Sequence, residues 1–356
     1  MLRIEMLPAQ QGDALWIEYG DPVRRILIDG GTRPTWSSRK KAGPLARRIA
    51  ALPEAEREFE LLVVSHVDGD HILGAVQLLA DETLGATFKD VWFNGFRHLP
   101  GTVEPMGPVD GEELTFLLDR RTWNDAFNGK PVQIPKRGKL PAKKLPGGLT
   151  LTVLAPDEQR LEDMVPVWEK TVREEGLVPG VGRKPTPMAP EGLEAMGPGA
   201  IPDVAALAAG RVSEDTAEAN GTSIVLLAEH DGKSALLCAD AFPTVVLQGV
   251  KRLLDERGGA RLEVSAFKLP HHGSRRNIHL ELLQKIDSRE FLYSSNGNRT
   301  NHPDVEAVAQ VLHTFDKPRL WFNYKTAFNE VWDRADVKDR FDYRAEYGDG
   351  TVVVPL

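Results

Sequence analysis

Apolar and polar positions alternate in short blocks along the first part of the chain. Leu2 to Met6 and Ala14 to Glu18 predict strands, Ile26 to Asp29 runs into the turn pair Gly30-Gly31, and Glu60 to Val64 is a continuous apolar run of buried-strand type. Gly74 to Ala80 predicts the start of a helix, Asp90 to Phe93 a strand, Glu112 to Phe127 a helix and Thr150 to Leu154 a strand. The pattern then fails from Pro156 to about Ala219, where prolines and glycines are interleaved and no period survives. This stretch reads as an insertion with one helix near Glu158 to Glu174 and a mobile remainder. It is too poor in apolar residues to form a domain of its own.

Regularity returns with Ser223 to Ala228 and Ser234 to Cys238, joined by a turn at His230 to Gly232. A helix near Phe242 to Glu256, a strand Val264 to Leu269, a helix Ile278 to Ile286, a strand Phe291 to Ser294, a helix Val305 to Phe315 and a strand Arg319 to Asn323 follow; Thr351 to Val354 closes the chain. Strand-rich and strand-helix halves on either side of one insertion predict two sheets with helices outside. The expectation is a single domain over 1–356, interrupted at about 156–219.

Composition narrows the function classes. The 356 residues, 41% of them hydrophobic, suffice for one large core, and a formal net charge of −8 supplies no global attraction to nucleic acid or to an anionic membrane. Two local basic clusters, Arg39, Lys40, Lys41, Arg47, Arg48 and Lys136, Arg137, Lys139, Lys143, Lys144, read first as solvated surface. The single cysteine, Cys238, excludes a disulfide framework and a cysteine-rich zinc site. The start reads as a strand and not as a signal peptide, and no apolar run approaches the roughly 20 residues of a membrane span. A cytoplasmic protein without membrane contact is expected.

The chemistry concentrates in Ser65-His66-Val67-Asp68-Gly69-Asp70-His71, directly after a buried strand. A strand would alternate these side chains, so a turn is needed to converge them, and Gly69 eases one. Imidazole and carboxylate together suit zinc, manganese or iron. A solvated acidic turn has the same composition, but further groups of the same kind stand at later strand ends: Asp240 after Ser234 to Cys238, and His271-His272-Gly273-Ser274 after Val264 to Leu269.

This combination resembles the metallo-β-lactamase superfamily, and most closely the soluble hydrolase domain of competence DNA-uptake (ComEC-type) proteins. The matching segments are HVDGDH at 66–71, LLCADA around Asp240, LPHHGS at 269–274, NHP at 301–303, QGDA at 11–14, ILIDGG at 26–31 and NGTSIVLL at 220–227. The resemblance implies an α/β fold, a four-layer αββα sandwich of two mixed sheets. It also implies two divalent ions, Zn²⁺ or Mn²⁺, held by His66, Asp68, Asp70, His71, Asp240 and His271 of the histidine pair, with Asp13 and Asp29 supporting the site loops from behind. Asp68 stands where the commoner motif has histidine, which hardens that site. Ala239 replaces a frequent glycine, and the usual additional histidine has no counterpart, since His98 and His230 read as structural.

The implied reaction is phosphodiester hydrolysis on DNA or RNA by a hydroxide shared between metals roughly 3.5 to 4 Å apart. Asp70 would orient that hydroxide, His272 or His302 would protonate the leaving group, and Ser274, Arg275 and Arg276 would hold a phosphate oxygen. Pro303 reads as the first residue of the following helix, which would place His302 at an anion-favouring N-terminus. A hydrolase of small esters, lactones or phosphoesters is an alternative reading. An inactive regulatory or partner-binding protein is another, with the intact ligand set against it. The sequence sets no oligomeric state.

Overall fold

Period-two alternation divides the early strands between two cores. The structure, a computed structural model, describes residues 1–38, 41–100, 109–175, 177, 201–210 and 212–356. Strands β1 (Leu2–Met6), β2 (Leu15–Tyr19), β3 (Arg24–Ile28), β4 (Leu61–Val63) and β5 (Val91–Trp92) join with the C-terminal Val352–Pro355 in a six-stranded sheet. The second sheet has eight strands: β6 (Ala142–Lys144), β7 (Thr150–Ala155), β8 (Val225–His230), β9 (Lys233–Leu237), β10 (Ala266–Lys268), β11 (Glu290–Tyr293), β12 (Arg319–Phe322) and β13 (Arg344–Tyr347).

Both sheets are mixed and are built alike. In the first, Val352–Pro355, β1, β2 and β3 pair antiparallel and β3, β4, β5 parallel. In the second, β6 to β9 pair antiparallel and β9 to β13 parallel. Leu15, Ile17, Ile26, Ile28, Leu61 and Val63 pack with Leu226, Leu236 and Phe267 of the second sheet. Their neighbours Trp16, Leu27 and Leu62 point the other way, into a second core shared with Ile49, Ile72, Val76 and Leu114 of three helices. Each such side chain, fully buried, contributes about 1.5–3 kcal/mol. On the outer face of the second sheet lie the helices Pro243–Arg257 and Val305–Thr314, through Val246, Val250, Val308 and Val311. The layers are helix, sheet, sheet, helix, as the αββα expectation requires.

Several boundaries move. The helix expected from Gly74 starts at Gly69, so Asp70 and His71 lie in its first turn. The helix Val109–Leu118 stops well short of Phe127, because Asn124 turns left-handed and its side chain binds the backbone of Phe93. The helix after His302 starts at Val305 with Asp304 at its cap, which corrects the placement of Pro303 inside it. The insertion carries its expected helix Glu158–Glu174 and also Val204–Ala209 and Glu218–Gly221, so its described remainder is not unstructured. Strands β6 and β13 and the helix Ala335–Phe341 had no clear periodic signal. Arg39, Lys40 and most of the insertion's prolines lie outside the described residues.

Candidate metal centre

The parallel strands end on one rim, and the loops leaving β3, β4, β9, β10 and β11 carry the polar side chains of interest. Close backbone contact fixes the first loop. A Cβ on Gly74 would fall 1.9 Å from the Gly30 carbonyl oxygen, and one on Gly12 would fall 1.7 Å from that of Asp70. No side chain larger than hydrogen fits, so the helix Gly69–Ala80 is seated directly on the β1–β2 connection and on the turn after β3. Asp68 occupies its N-cap, a position where aspartate usually binds the helix backbone, yet its side chain makes no cap bond. Its Oδ2 lies instead 3.6 Å from His66 Nε2.

After β9 and β10 the chain takes left-handed conformations at Ala239 (φ 45°), His271 (φ 46°) and His272 (φ 55°). Each costs roughly 1–2 kcal/mol for a residue with a Cβ. Ala239 is therefore a larger departure than its size suggests, because glycine adopts this φ freely. The turn is held by the His271 amide, which donates to the Ala239 carbonyl at 2.8 Å, and by the Asp304 amide, which donates to Gly273 at 3.0 Å.

Four imidazoles arrive with Nε2 facing inward; Nδ1 is hydrogen-bonded in His66, His71 and His271, and in His272 it faces a carboxylate without a hydrogen bond. His71 Nδ1 lies 2.8 Å from Asp29 Oδ2, and Asp29 also accepts the Ser65 amide and hydroxyl, both at 2.7 Å. Since that hydroxyl gives its proton to Asp29, it accepts from His66 Nδ1 at 3.0 Å. His272 Nδ1 faces Asp13 Oδ1 at 3.4 Å, and the fully buried Lys268 ammonium donates to Asp13 Oδ2 at 2.8 Å. His271 Nδ1 lies 3.0 Å from Asn277 Oδ1. On the inward side, His71 Nε2 is 3.3 Å from His272 Nε2 and 3.2 Å from Asp240 Oδ1. Asp240 Oδ2 is 3.5 Å from His272 Nε2 and 3.6 Å from His271 Nε2, and Asp70 Oδ2 is 3.7 Å from His272 Nε2.

Two facing imidazole lone pairs repel unless a proton or a cation lies between them. His66 Nε2 and Asp240 Oδ1 are buried without a hydrogen-bond partner. Unpaired buried lone pairs aimed at one space are what a divalent cation satisfies. Ligand atoms of Asp13, His71, Asp240 and His272 lie within 4.8 Å of one another. Asp13 is the odd member, since Lys268 neutralises it and the His272 ring stands between it and the rest. It supports the site and does not face it.

Without metal the cluster holds protons. Burial alone would lower the affinity of His71 for a proton, but Asp240 and Asp29 raise it well above the ordinary value. His272 behaves alike: burial opposes its charge, and Asp240 and Asp13 push its pKa up to about 9. Asp240 moves the other way, with burial outweighed by His272, His71 and His271, and is held well below the carboxylate range.

The remaining expected residues are placed as follows. His302 is buried, its ring edge to face with His271 at 5.2 Å between centroids, and burial lowers its pKa to about 3, so near neutral pH it is an uncharged ring. Ser274 Oγ accepts the Arg276 amide at 3.2 Å. The Arg275 guanidinium binds Glu306 at 2.8 Å, and that of Arg276 binds the carbonyls of Ser213 and Glu214. His98 packs on Trp123 and His230 binds the Gly147 carbonyl, both away from the cluster. Lys268, Ser65, Asn277 and Asp215 escaped the sequence reading. Only Lys268 had a signal, as a lone charge inside the apolar run Val264 to Leu269.

Comparison with family models finds no match, and comparison with curated proteins finds none. Among solved structures, the chain is similar to the metallo-β-lactamase fold protein YhfI from Bacillus subtilis, at 10% identity over 99% of this chain and 98% of that one, with a TM-score of 0.40. Zn²⁺-bound PqqB from Methylobacterium extorquens gives 12% identity over 100% of both chains and a TM-score of 0.43. CmlA, a diiron β-hydroxylase from Streptomyces venezuelae, gives 12% identity and a TM-score of 0.43; this chain covers 54% of its length. At these identities and scores the likenesses identify no activity.

Proposed function

We propose that this chain is a binuclear metal-dependent hydrolase of phosphodiesters, of the kind found in the soluble domain of competence DNA-uptake proteins. The observation that carries the reading is the convergence of the Nε2 atoms of His71, His271 and His272 on Asp240, with His66 Nε2 beside Asp68 and each Nδ1 turned toward a polar group. His66, Asp68 and His271 would hold one ion, Asp70, His71 and His272 the other, and Asp240 both. This keeps the expected ligands and moves His272 from proton donor to ligand, because its two ring nitrogens are taken up by Asp13 and by the cluster. Zinc or manganese suits the mixed imidazole and carboxylate set.

When bound, the ions supply an acidified water as nucleophile and positive charge for the phosphoryl oxygens. The protein does the rest. Asp70, partly open to solvent through a side chain 22% exposed, accepts the proton of the attacking water at a carboxylate oxygen. The anchored rings keep their Nε2 lone pairs inward without reorganisation, which is the contribution of Asp29 and Asp13. His302, uncharged near neutral pH, carries no acidic proton to give, so Asp70 returns the proton taken from the water to the departing alkoxide.

A small phosphoester is the second reading. A cleft of about 980 Å³ opens beside His302, between Asn301, Pro303 and the helix Val204–Ala209, and its charged lining is acidic on balance, with Asp203, Asp304, Glu306, Glu330 and Asp333 against Lys325 and Arg334. Such a lining disfavours a polyanion along that path. The test is metal content together with cleavage of bis-p-nitrophenyl phosphate by wild type and Asp240→Ala. About two ions per chain and activity lost in the variant support the proposal. Metal without phosphodiesterase activity redirects it to carboxylic esters, and no metal under any loading condition overturns it. The salt dependence of turnover then separates nucleic acid from small substrates.

A further inference from the structure

The end of the insertion reaches the site through one side chain. Asp215 is buried, and its Oδ2 lies 3.3 Å from His271 Nδ1. The orientation of Asn277 defines the proton position on that ring. Its Nδ2 donates to Asp215 Oδ2 at 3.0 Å and to the Asp240 carbonyl at 3.1 Å, which turns its Oδ1 toward His271 Nδ1 at 3.0 Å. Two acceptors therefore face Nδ1, and the Asn220 amide nitrogen, 3.4 Å from the same atom, gives its proton to Asp215 Oδ2 at 2.7 Å instead, so Nδ1 carries the proton and the Nε2 lone pair is left for the cluster.

Asp215 is itself held from several sides. Its Oδ2 accepts the Asn220 amide at 2.7 Å, its Oδ1 accepts the Ala217 backbone at 3.1 Å, and its own amide donates to the Arg276 carbonyl at 3.2 Å. The Arg276 guanidinium returns to the same segment through the Ser213 and Glu214 carbonyls. On the opposite face Glu214 accepts the Thr244 amide at 3.1 Å, at the start of the helix Pro243–Arg257. The arrangement repeats what Asp29 does for His71 and Asp13 for His272, with the carboxylate supplied by the insertion.

We propose that Asp215 is the positioning residue for His271, fixing its tautomer and ring direction, and that Arg276 clamps the segment that carries it. The inference rests on the binuclear reading for its consequence, metal affinity, but not for its geometry. The insertion is then part of the centre and not decoration beside it.

The test compares wild type, Asp215→Ala, Asp215→Asn and Glu214→Ala. Titration of the metal-free proteins with Zn²⁺ and with Mn²⁺ reads both affinities, and ¹⁵N-histidine spectra read the His271 Nδ1–H, assigned with His271→Gln. In Asp215→Ala one ion should bind 10- to 100-fold more weakly, the other within about twofold, and the Nδ1–H signal should shift and broaden, since Asn277 Oδ1 alone is left to accept it. Asp215→Asn, which keeps an acceptor, should retain the signal with a smaller loss. Glu214→Ala, which removes the side-chain contact to Thr244 and leaves Asp215 and the Arg276 clamp on the backbone carbonyls in place, should match wild type. Unchanged affinities and an unchanged signal in Asp215→Ala overturn the proposal, and so does a Glu214→Ala variant that reproduces its defect. If wild type binds no ion, the hydrolase reading falls and the Nδ1–H signal alone decides: a signal shifted and broadened only in Asp215→Ala upholds the positioning role, and one changed alike in Glu214→Ala overturns it.

Discussion

Removing metal and raising the pH should destabilise this protein. In the metal-free chain, burial disfavours a charged His272, yet Asp240 and Asp13 raise its pKa from 6.5 to about 9. A raised histidine stabilises the folded state fully below its unfolded value, and that stability disappears as pH climbs through the folded value. The window is therefore pH 6.5 to 9. At about 1.4 kcal/mol per pH unit, the loss attributable to His272 is about 3 kcal/mol. His71, also raised, adds to it at higher pH. Asp240, held well below the carboxylate range, and His302, lowered to about 3, titrate on the acid side and contribute a constant across the window. The assay is urea unfolding of chelator-treated protein from pH 6 to 9.5, with Asp13→Asn as control, since it removes one carboxylate that holds the proton and should flatten the curve. Stability that is flat or rising between pH 6.5 and 9 would refute the account. The same protons must leave when metal enters, and His271 is raised as well, so calorimetry of Zn²⁺ binding near pH 7 in buffers of different ionisation enthalpy should report net proton release.

Three further outcomes follow from the packing. Gly74→Ala places a methyl 1.9 Å from the Gly30 carbonyl oxygen and should cost about 3 kcal/mol or more in urea unfolding while weakening metal binding, because the helix that carries Asp70 and His71 must shift. Lys268→Met removes the ammonium from a fully buried Asp13 and leaves it only His272 opposite; it should cost about 3–5 kcal/mol in the same measurement, and the double variant with Asp13→Asn should recover part of it. Replacing Lys136, Arg137, Lys143 and Lys144 together should leave turnover of a small diester unchanged, since Lys143 and Lys144 lie on the edge strand β6, three strands from β9 and roughly 14 Å away. If DNA cleavage is also unchanged, that cluster is not the strand-binding surface.

The sequence carried the architecture because its signals are local. Alternation in Leu15 to Tyr19 assigns each side chain to a face, and a ligand motif directly after an apolar run places it at a strand end. Boundaries at the site were less legible for a physical reason. Asp68 and Gly69 look like a loop, and only the seating of Gly74 on Gly30 draws the helix back to residue 69, a contact across 44 positions of sequence. Strand β13 alternates in burial with mostly polar residues, so its pairing with β12 comes from the sheet and not from its own composition.

What sequence separated least well was the ligand from its support. His271 and His272 are adjacent and chemically identical, so no local pattern divides their roles; the left-handed turn does, by sending one ring toward Asp13 and the other toward Asp215. The three supporting carboxylates come from the β1–β2 connection, the end of β3 and the end of the insertion. None has a spacing rule relative to the histidine it holds, because hydrogen-bond geometry across a rim constrains distance in space alone. Arg275 and Arg276 illustrate the converse. Beside a histidine pair they suggest phosphate contact, yet the Arg275 guanidinium is engaged with Glu306 and that of Arg276 with the carbonyls of 213 and 214. A substrate that used either arginine would first have to displace those partners, so if phosphate binding survives Arg275→Ala undiminished, the metals and not these charges hold the anion.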